Sequence, residues 1–542
     1  MEQLYAAYPL DKEKEEIRLF HIHPGPWAAE LTGTFSVVSL QEDPDFFALS
    51  YTWGNTPAGE RPTVNIQGCQ IPVSKNLHAG LRRLRWHANR EEQANNLVVW
   101  ADALCISQED VMEKQHQIPL MRKIYSRSRF TAIWLGELAL PGQSPESPDM
   151  DDATPQSNAA TSLPNVVVVA TKIIEKLYHD EHLTSMEPFD RDETDAFFVS
   201  IQRYFQSWMN NAWFLRRWVL QEVILAEEVK VYYGEIMMEL DMLSQAMDMY
   251  AKHVEDACCM TSNPGHYMLR RYIRGFMQEF TSIRHFRDNK KAEAHIFELC
   301  KNFANRETSL EADYVYALLG LTNPPSYIIP DYTLPMHNLL TDVCIDYIER
   351  KGSLDFLHLA GMSDRRREMP SWVIDWTQAE STWTWLADLF SPVGALSQSP
   401  QVDDRSHLRI AAYCVDEVDS ITTFSVPANS VTAALKKIKD TFLCENLFDT
   451  NYPTGDSWIE AWIRTLSADS CWGANSSRRL AQEDYAFYLN AISNETGYNP
   501  GQRVQLAGGR QVLADAHLND IMRFGTMCKV EIQNRKIYNE CK

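Results

Sequence analysis

The sequence lacks any apolar run long enough to cross a membrane. Its longest aliphatic stretch, Val166 to Ala170, falls far short of the ~18–20 residues a span requires. Positive charge is also scarce: Lys and Arg number 51 against 73 Asp and Glu, for a formal net charge of −22. Such a balance argues against a general nucleic-acid binder or anionic-membrane binder, both of which need a positive field. The 11 Cys are irregularly spaced and contain no CxxC, so neither a zinc ribbon nor a redox pair is indicated. GxGxxG, Walker and HExxH patterns are missing as well. The N-terminus shows neither an apolar h-region nor an Arg-rich transit pattern, which with the thiols gives an expectation of a reduced, cytoplasmic chain.

What is present is core-forming material. Apolar residues make up 45% of 542, with 15 Trp, which excludes global disorder. At ~100–200 residues per domain, the length argues for two to four domains. Between residues 138 and 195 acids outnumber bases 12 to 3, so much of the negative charge sits in one stretch. Its first part, 138–164, holds five Pro and neither Lys nor Arg, and reads as a linker or insertion.

The first ~140 residues alternate apolar runs with helical patterns. Phe46–Tyr51, Leu97–Ala101 and Thr131–Leu135 read as buried strands, and Val64–Gln67 with Cys69–Val73 as a hairpin around Gly68. Asn76 reads as the N-cap of a helix running to about Trp86, and Asp110 with Glu113 as the start of another that contains Pro119. Strands alternating with helices predict an α/β fold with a mostly parallel sheet. Function then gathers at the strand C-terminal ends: Ser50–Gly54, Asp102–Cys105 and Gly136-Glu137. Farther on, Phe197–Ala226 reads as strongly helical and Val229–Tyr233 as a strand. Residues 236–350 read as mainly helical, 391–410 as loop, and about 408–542 as mixed short strands and helices.

Several ordered runs resemble one family. Ala48-Leu-Ser-Tyr-Thr-Trp-Gly54, Asn76-Leu77, Trp100-Ala-Asp102-Ala-Leu-Cys105 through Asp110, Glu113 through Tyr125, Trp134-Leu-Gly-Glu137 and Arg217-Trp-Val-Leu-Gln-Glu222 resemble the fungal heterokaryon-incompatibility (HET) domain. Tyr316–Leu321, Pro330-Asp-Tyr332 and Pro370–Trp376 look like segments that follow it. Glu311-Ala-Asp313 departs from the family pattern, and the last ~130 residues follow it loosely.

The resemblance implies a HET domain over 17–235 interrupted by 138–195, a mainly helical accessory region over 236–390, and a mixed region over 408–542. It implies a cytoplasmic fungal factor in nonself recognition that triggers programmed cell death. Its partner would be another protein, or a second copy through the HET domain, with no nucleic acid and no membrane span. Alternatives are a non-catalytic signalling module and a protein associated with a natural-product biosynthetic cluster. HET domains are proposed distant relatives of Toll/interleukin-1 receptor (TIR) domains, which implies a TIR-like sheet and an NAD-cleaving activity. No cofactor is called for, NAD being a substrate.

Trp218 and Glu222 have the spacing of the Trp and catalytic Glu of TIR enzymes. A carboxylate there could hold ribose hydroxyls and stabilise an oxocarbenium-like state. The plainer reading is a structural Glu222 that caps backbone or pairs with Arg216 or Arg217. Asp102, after a buried strand, is a second catalytic candidate or a loop brace. Ser50, Tyr51, Trp53 and Gly54 could line a nucleotide pocket, the Trp stacking on a ring, or could be core aromatics and a tight turn. Cys105 reads as a buried thiol, and the His21/His23 and His179/His182 pairs as ordinary histidines rather than metal ligands. The aromatic residues of 197–226 read as internal core, with a cryptic self-association patch as the alternative.

Overall fold

A computed structural model describes residues 2–90, 97–137, 163–192, 194–255, 264–289, 293–354, 356–357, 360, 368–377 and 400–410, with short strands at 470–472, 477–479, 503–505 and 511–513. The chain divides into two compact units: 1–250, 263–351 and 360–381 form one, and 251–262, 352–359 and 382–542 the other.

In the first unit the strands are β1 Glu16–Ile22, β2 Thr32–Ser39, β3 Phe47–Tyr51, β4 Thr63–Ile66, β5 Cys69–Pro72, β6 Val98–Trp100, β7 Thr131–Trp134, β8 Val229–Tyr233 and β9 Ile236–Glu239. They form one sheet in the order β5-β4-β2-β1-β6-β3-β7-β8-β9. The expected parallel pairing holds at the centre, where β6, β3, β7 and β8 run the same way. The flanks differ: β1 pairs antiparallel with both β2 and β6, and β4–β5 and β8–β9 are antiparallel hairpins. The sheet is therefore mixed. Its centre is buried on both faces, since all five residues of β3 and all four of β7 are buried.

The helices of this unit begin with α1 Glu2–Ala7, α2 Lys75–Arg90, α3 Asp102–Cys105 and α4 Val111–Arg127. Then come α5 Leu163–Tyr178, α6 Ala196–Met209, α7 Val219–Ile224 and α8 Leu240–Glu255, whose last residues pass into the other unit. Last are α9 Pro264–Asp288, α10 Ile296–Asn302, α11 Asp313–Leu319 and α12 Met336–Lys351. Asp110 caps α4 as expected, accepting from the Met112 and Glu113 amides at 2.9 and 3.0 Å, and Pro119 lies inside that helix. Glu113 does not turn back to close a capping box. It forms a buried fork with Arg18 of β1, at 2.5 and 2.9 Å.

Two local expectations fail for identifiable reasons. Asn76 is not an N-cap, because α2 already includes Lys75 and the Ser74 hydroxyl accepts the Leu77 amide. Asn76 spends its side chain on Thr52 and Trp134 instead. Residues 197–226 are not one helix. α6 ends at Met209 with Asn210 as its C-cap, a 3₁₀ turn capped by Asn211 covers Ala212–Leu215, Arg216 is extended, and α7 follows. Asparagine favours such local side-chain bonds over helix continuation.

The other unit has three described antiparallel hairpins: β10 Gln401–Asp403 with β11 His407–Arg409, β12 Ser470–Trp472 with β13 Ser477–Arg479, and β14 Arg503–Gln505 with β15 Gln511–Leu513. The first lies in the stretch read as loop. Residues 138–162 and 391–399, and most of 411–542, fall outside the described residues. No described helix is long and apolar enough to cross a membrane.

Candidate functional site

Adjacent parallel strands bring their C-terminal ends together, and that pairing builds the site. β3 ends at Tyr51 and β6 at Trp100, with Ala48 opposite Trp100, so the residues that follow each strand emerge side by side. Asp102 opens α3 there. Its Oδ1 accepts from the Tyr51 hydroxyl at 2.8 Å and from the Ala103 amide at 2.7 Å, and its Oδ2 accepts from the Trp53 indole at 2.8 Å. One carboxylate thus holds two aromatic side chains of the β3 end. Burial beside that carboxylate holds the Tyr51 hydroxyl far above its ordinary pKa, so it remains a donor. Trp53 is fixed at its nitrogen yet 44% exposed.

Tyr51 and Trp53 border a cleft of about 220 Å³ whose lining also includes Gly54, Arg61, Gln108 and Glu109. Gly54 has φ +67°, a left-handed conformation that L side chains rarely adopt, so any larger residue there would strain the turn.

Consecutive side chains leave a strand on opposite faces, so Ser50 points away from Tyr51. The Ser50 hydroxyl accepts the Trp213 indole N–H at 2.8 Å and lies against Glu222 of α7. Glu222 is 3% exposed, its Oε2 has no hydrogen-bond partner among the described residues, and it does not line the cleft. Burial pushes its carboxyl up to about 7, against the opposing pull of Arg216 and Ser50, while Asp102 adds to the rise. Arg216 donates to the Tyr51 carbonyl between the two sets. Arg217 is no partner for Glu222: it is fully buried and donates to the carbonyls of Phe303, Arg306 and Cys300.

The structure therefore places Tyr51, Trp53 and Gly54 around one cleft, with Asp102 bracing its two aromatic side chains from outside the lining, and Ser50 with Glu222 on the other face of β3. Trp218, one turn before Glu222, sends its indole N–H to Asp313 of α11 at 3.0 Å, and Tyr332 donates to the same carboxyl at 2.8 Å. Cys105 is buried, and burial pushes its thiol up to about 12, well away from nucleophile behaviour. No cluster of His, Cys, Asp or Glu among the described residues could hold a metal ion. Sequence reasoning passed over Trp213, Arg61, Gln108 and Glu109. The aromatic run gave a signal for the first, but no local pattern marked the loop residues.

An α/β unit with a polar, aromatic-rimmed cleft at its parallel strand ends is the class this geometry defines. Within it, residues 46–222 match the family model described as "Heterokaryon incompatibility protein (HET)", so the chain carries a HET domain. It is 24% identical over 420 residues to "Heterokaryon incompatibility protein 6, OR allele" of Neurospora crassa, covering 69% of this chain and 59% of that protein. The chain thus spans about three-fifths of the length of that curated relative. No solved structure matches it.

Proposed function

We propose that this chain is a signalling factor of fungal heterokaryon incompatibility, in which the HET domain converts nonself recognition into growth arrest and cell death. The family match and the Neurospora relative support that role. The cleft of the HET domain is read as a regulatory binding site, and a protein partner or second copy as the trigger. One observation carries the choice of signalling over catalysis: the only acid behind the β3 end with a shifted carboxyl, Glu222, is sealed from the cleft among the described residues.

A TIR-like, NAD-cleaving activity is the second reading, favoured by a specific feature. Glu222 keeps an oxygen unpartnered among the described residues and a carboxyl that titrates near neutrality, beside Asp102. Perturbed acids of this kind cluster at functional sites. For that chemistry Arg216 and the β3 end must move to open Glu222 to the cleft, where its carboxylate would stabilise developing positive charge on the ribose.

The deciding experiment expresses the chain, fused to an inducible dimeriser, in a fungal host. Growth arrest with NAD unchanged, retained in Glu222→Gln, is the result expected for the signalling reading. NAD loss in wild type that Glu222→Gln abolishes, with the fold intact, replaces it with the enzymatic one. Neither arrest nor NAD loss after dimerisation overturns both.

A further inference from the structure

The cleft wall carries an arginine that forms no ion pair among the described residues. Arg61, in the loop between β3 and β4, uses its Nε to donate to the Thr56 carbonyl at 3.2 Å, which fixes the direction of its guanidinium. Among the described residues its terminal nitrogens have neither a hydrogen bond nor a carboxylate partner. Nearby Glu60 is taken by Lys75, at 2.7 Å. In a chain of net charge −22, a cleft-facing Arg without an acidic partner among the described residues is an unusual allocation. A guanidinium fork suits a phosphate or carboxylate, to which it donates two parallel hydrogen bonds.

The rest of the cleft completes a recognisable ligand shape. Trp53 is tethered at its nitrogen by Asp102 and still 44% exposed, so its ring is a fixed stacking surface. The Gln108 amide nitrogen is spent on the Asp102 and Ile106 carbonyls, which leaves its oxygen as an acceptor toward the cleft. Glu109 adds a second, carboxylate acceptor. Ring platform, anion fork and hydroxyl acceptors together match a planar base, a phosphate and a sugar. The volume of about 220 Å³ lies below the ~300–1,000 Å³ usual for sites that enclose drug-sized ligands, so a nucleotide would lie partly exposed across the cleft, and two joined ones would be covered less still.

We propose that this cleft binds a mononucleotide-class ligand, its base against Trp53 and its single phosphate on Arg61. The inference rests on reading the β3 end as a binding site, and on neither incompatibility nor NAD cleavage.

Titration calorimetry of the full chain with AMP, adenosine, inorganic phosphate and NAD tests it. AMP is expected to bind about tenfold more tightly than adenosine, the worth of one charge-assisted fork. Arg61→Gln, at an exposed position whose loss does not threaten the fold, should erase that preference and leave adenosine unchanged. Trp53→Phe should keep AMP binding and Trp53→Ala should lose it. Four results would each overturn the proposal: no AMP binding at millimolar concentration, AMP affinity indifferent to Arg61→Gln, phosphate binding as well as AMP, or NAD binding more tightly than AMP. Growth arrest that fails while AMP still binds tells against the signalling role alone.

Discussion

The Trp213 indole N–H donates to the Ser50 hydroxyl at 2.8 Å, across 163 residues of sequence, and so joins the turn before α7 to the centre of the sheet. An indole is a donor only, so Ser50 must accept there and its own proton is free to turn toward Glu222. That proton favours the ionised carboxyl, but burial opposes it more strongly and wins.

The consequence is a pH-dependent stability with a definite sign. Glu222 titrates near 7 in the folded chain against an ordinary value of 4.5. Between those pH values the folded chain keeps a proton that the unfolded chain has released, so stability falls as pH rises through the window. The loss is complete above about pH 7 and on the order of 3 kcal/mol. Glu222→Gln should therefore match wild type near pH 4.5 and exceed it by that order at pH 8, measured by urea unfolding at each pH. Parallel stability curves for the two proteins would refute it. Trp213→Phe should shift the wild-type window to higher pH, since Ser50 is then free to turn away.

Asp102 joins two aromatic side chains that differ in burial, and its substitutions should separate them. Asparagine offers one acceptor oxygen. Placed at Oδ1, that oxygen still serves Tyr51 and Ala103, while the amide group faces the Trp53 N–H with no acceptor. Asp102→Asn should release Trp53 and raise its mobility in fluorescence anisotropy, with little stability change. Asp102→Ala should additionally strand the buried Tyr51 hydroxyl and cost about 1–3 kcal/mol. Equal destabilisation by the two substitutions would show that the Tyr51 bond carries nothing.

The parallel centre of the sheet was legible because its strands are continuous apolar runs, and both faces of β3 and β7 are indeed buried. The same signal hid β1 and β2. In β1 the polar residues Glu16, Arg18 and His21 interrupt the apolar ones, Arg18 itself being buried, and in β2 buried residues alternate with half-buried Thr34 and Ser36, so neither stretch forms an apolar block. Asp102 and the Ser50–Gly54 turn could be found from position alone, since both follow buried strands. The relation between Ser50 and Tyr51 could not, because it depends on which face each residue takes once β3 is seated. The break at Asn210-Asn211 was masked by the aromatic residues on either side, which suit a helix and an interrupted helix equally well.

Arg18 and Glu113 form an ion pair that sequence patterning could not show, linking β1 to α4 through side chains 1% and 12% exposed. Arg18 also donates to the Tyr8 and Cys105 carbonyls, and Glu113 accepts the Ser107 amide at 2.6 Å. Removing one partner leaves the other buried and uncompensated, so Arg18→Ala and Glu113→Ala should each cost about 3–5 kcal/mol. Arg18→Met with Glu113→Leu should recover much of the loss. A double variant as unstable as the sum of the single ones would show that the backbone bonds dominate.

Gly80 in α2 sets two opposing effects against each other. A glycine in a helix interior costs up to about 1 kcal/mol relative to alanine, which by itself favours Gly80→Ala. The added Cβ, however, would lie 2.9 Å from Trp134 Cδ1 and 3.0 Å from its Cγ. Trp134 cannot easily yield: it is 1% exposed, and its indole N–H donates to the Asn76 carbonyl and side-chain oxygen at 3.1 and 3.0 Å. Overpacking of a fixed ring costs about 1–3 kcal/mol and should exceed the helix gain, so Gly80→Ala is expected to lower stability by about 1 kcal/mol. Asn76 also donates to the Thr52 carbonyl and hydroxyl, at 2.7 and 2.8 Å, so displacement of the ring should reach the β3 end and weaken ligand binding at the cleft. In a double-mutant cycle Trp134→Phe, with a smaller ring and no N–H, should absorb the Cβ and make Gly80→Ala neutral or stabilising. Strict additivity between the two would show that the ring is not what keeps residue 80 a glycine.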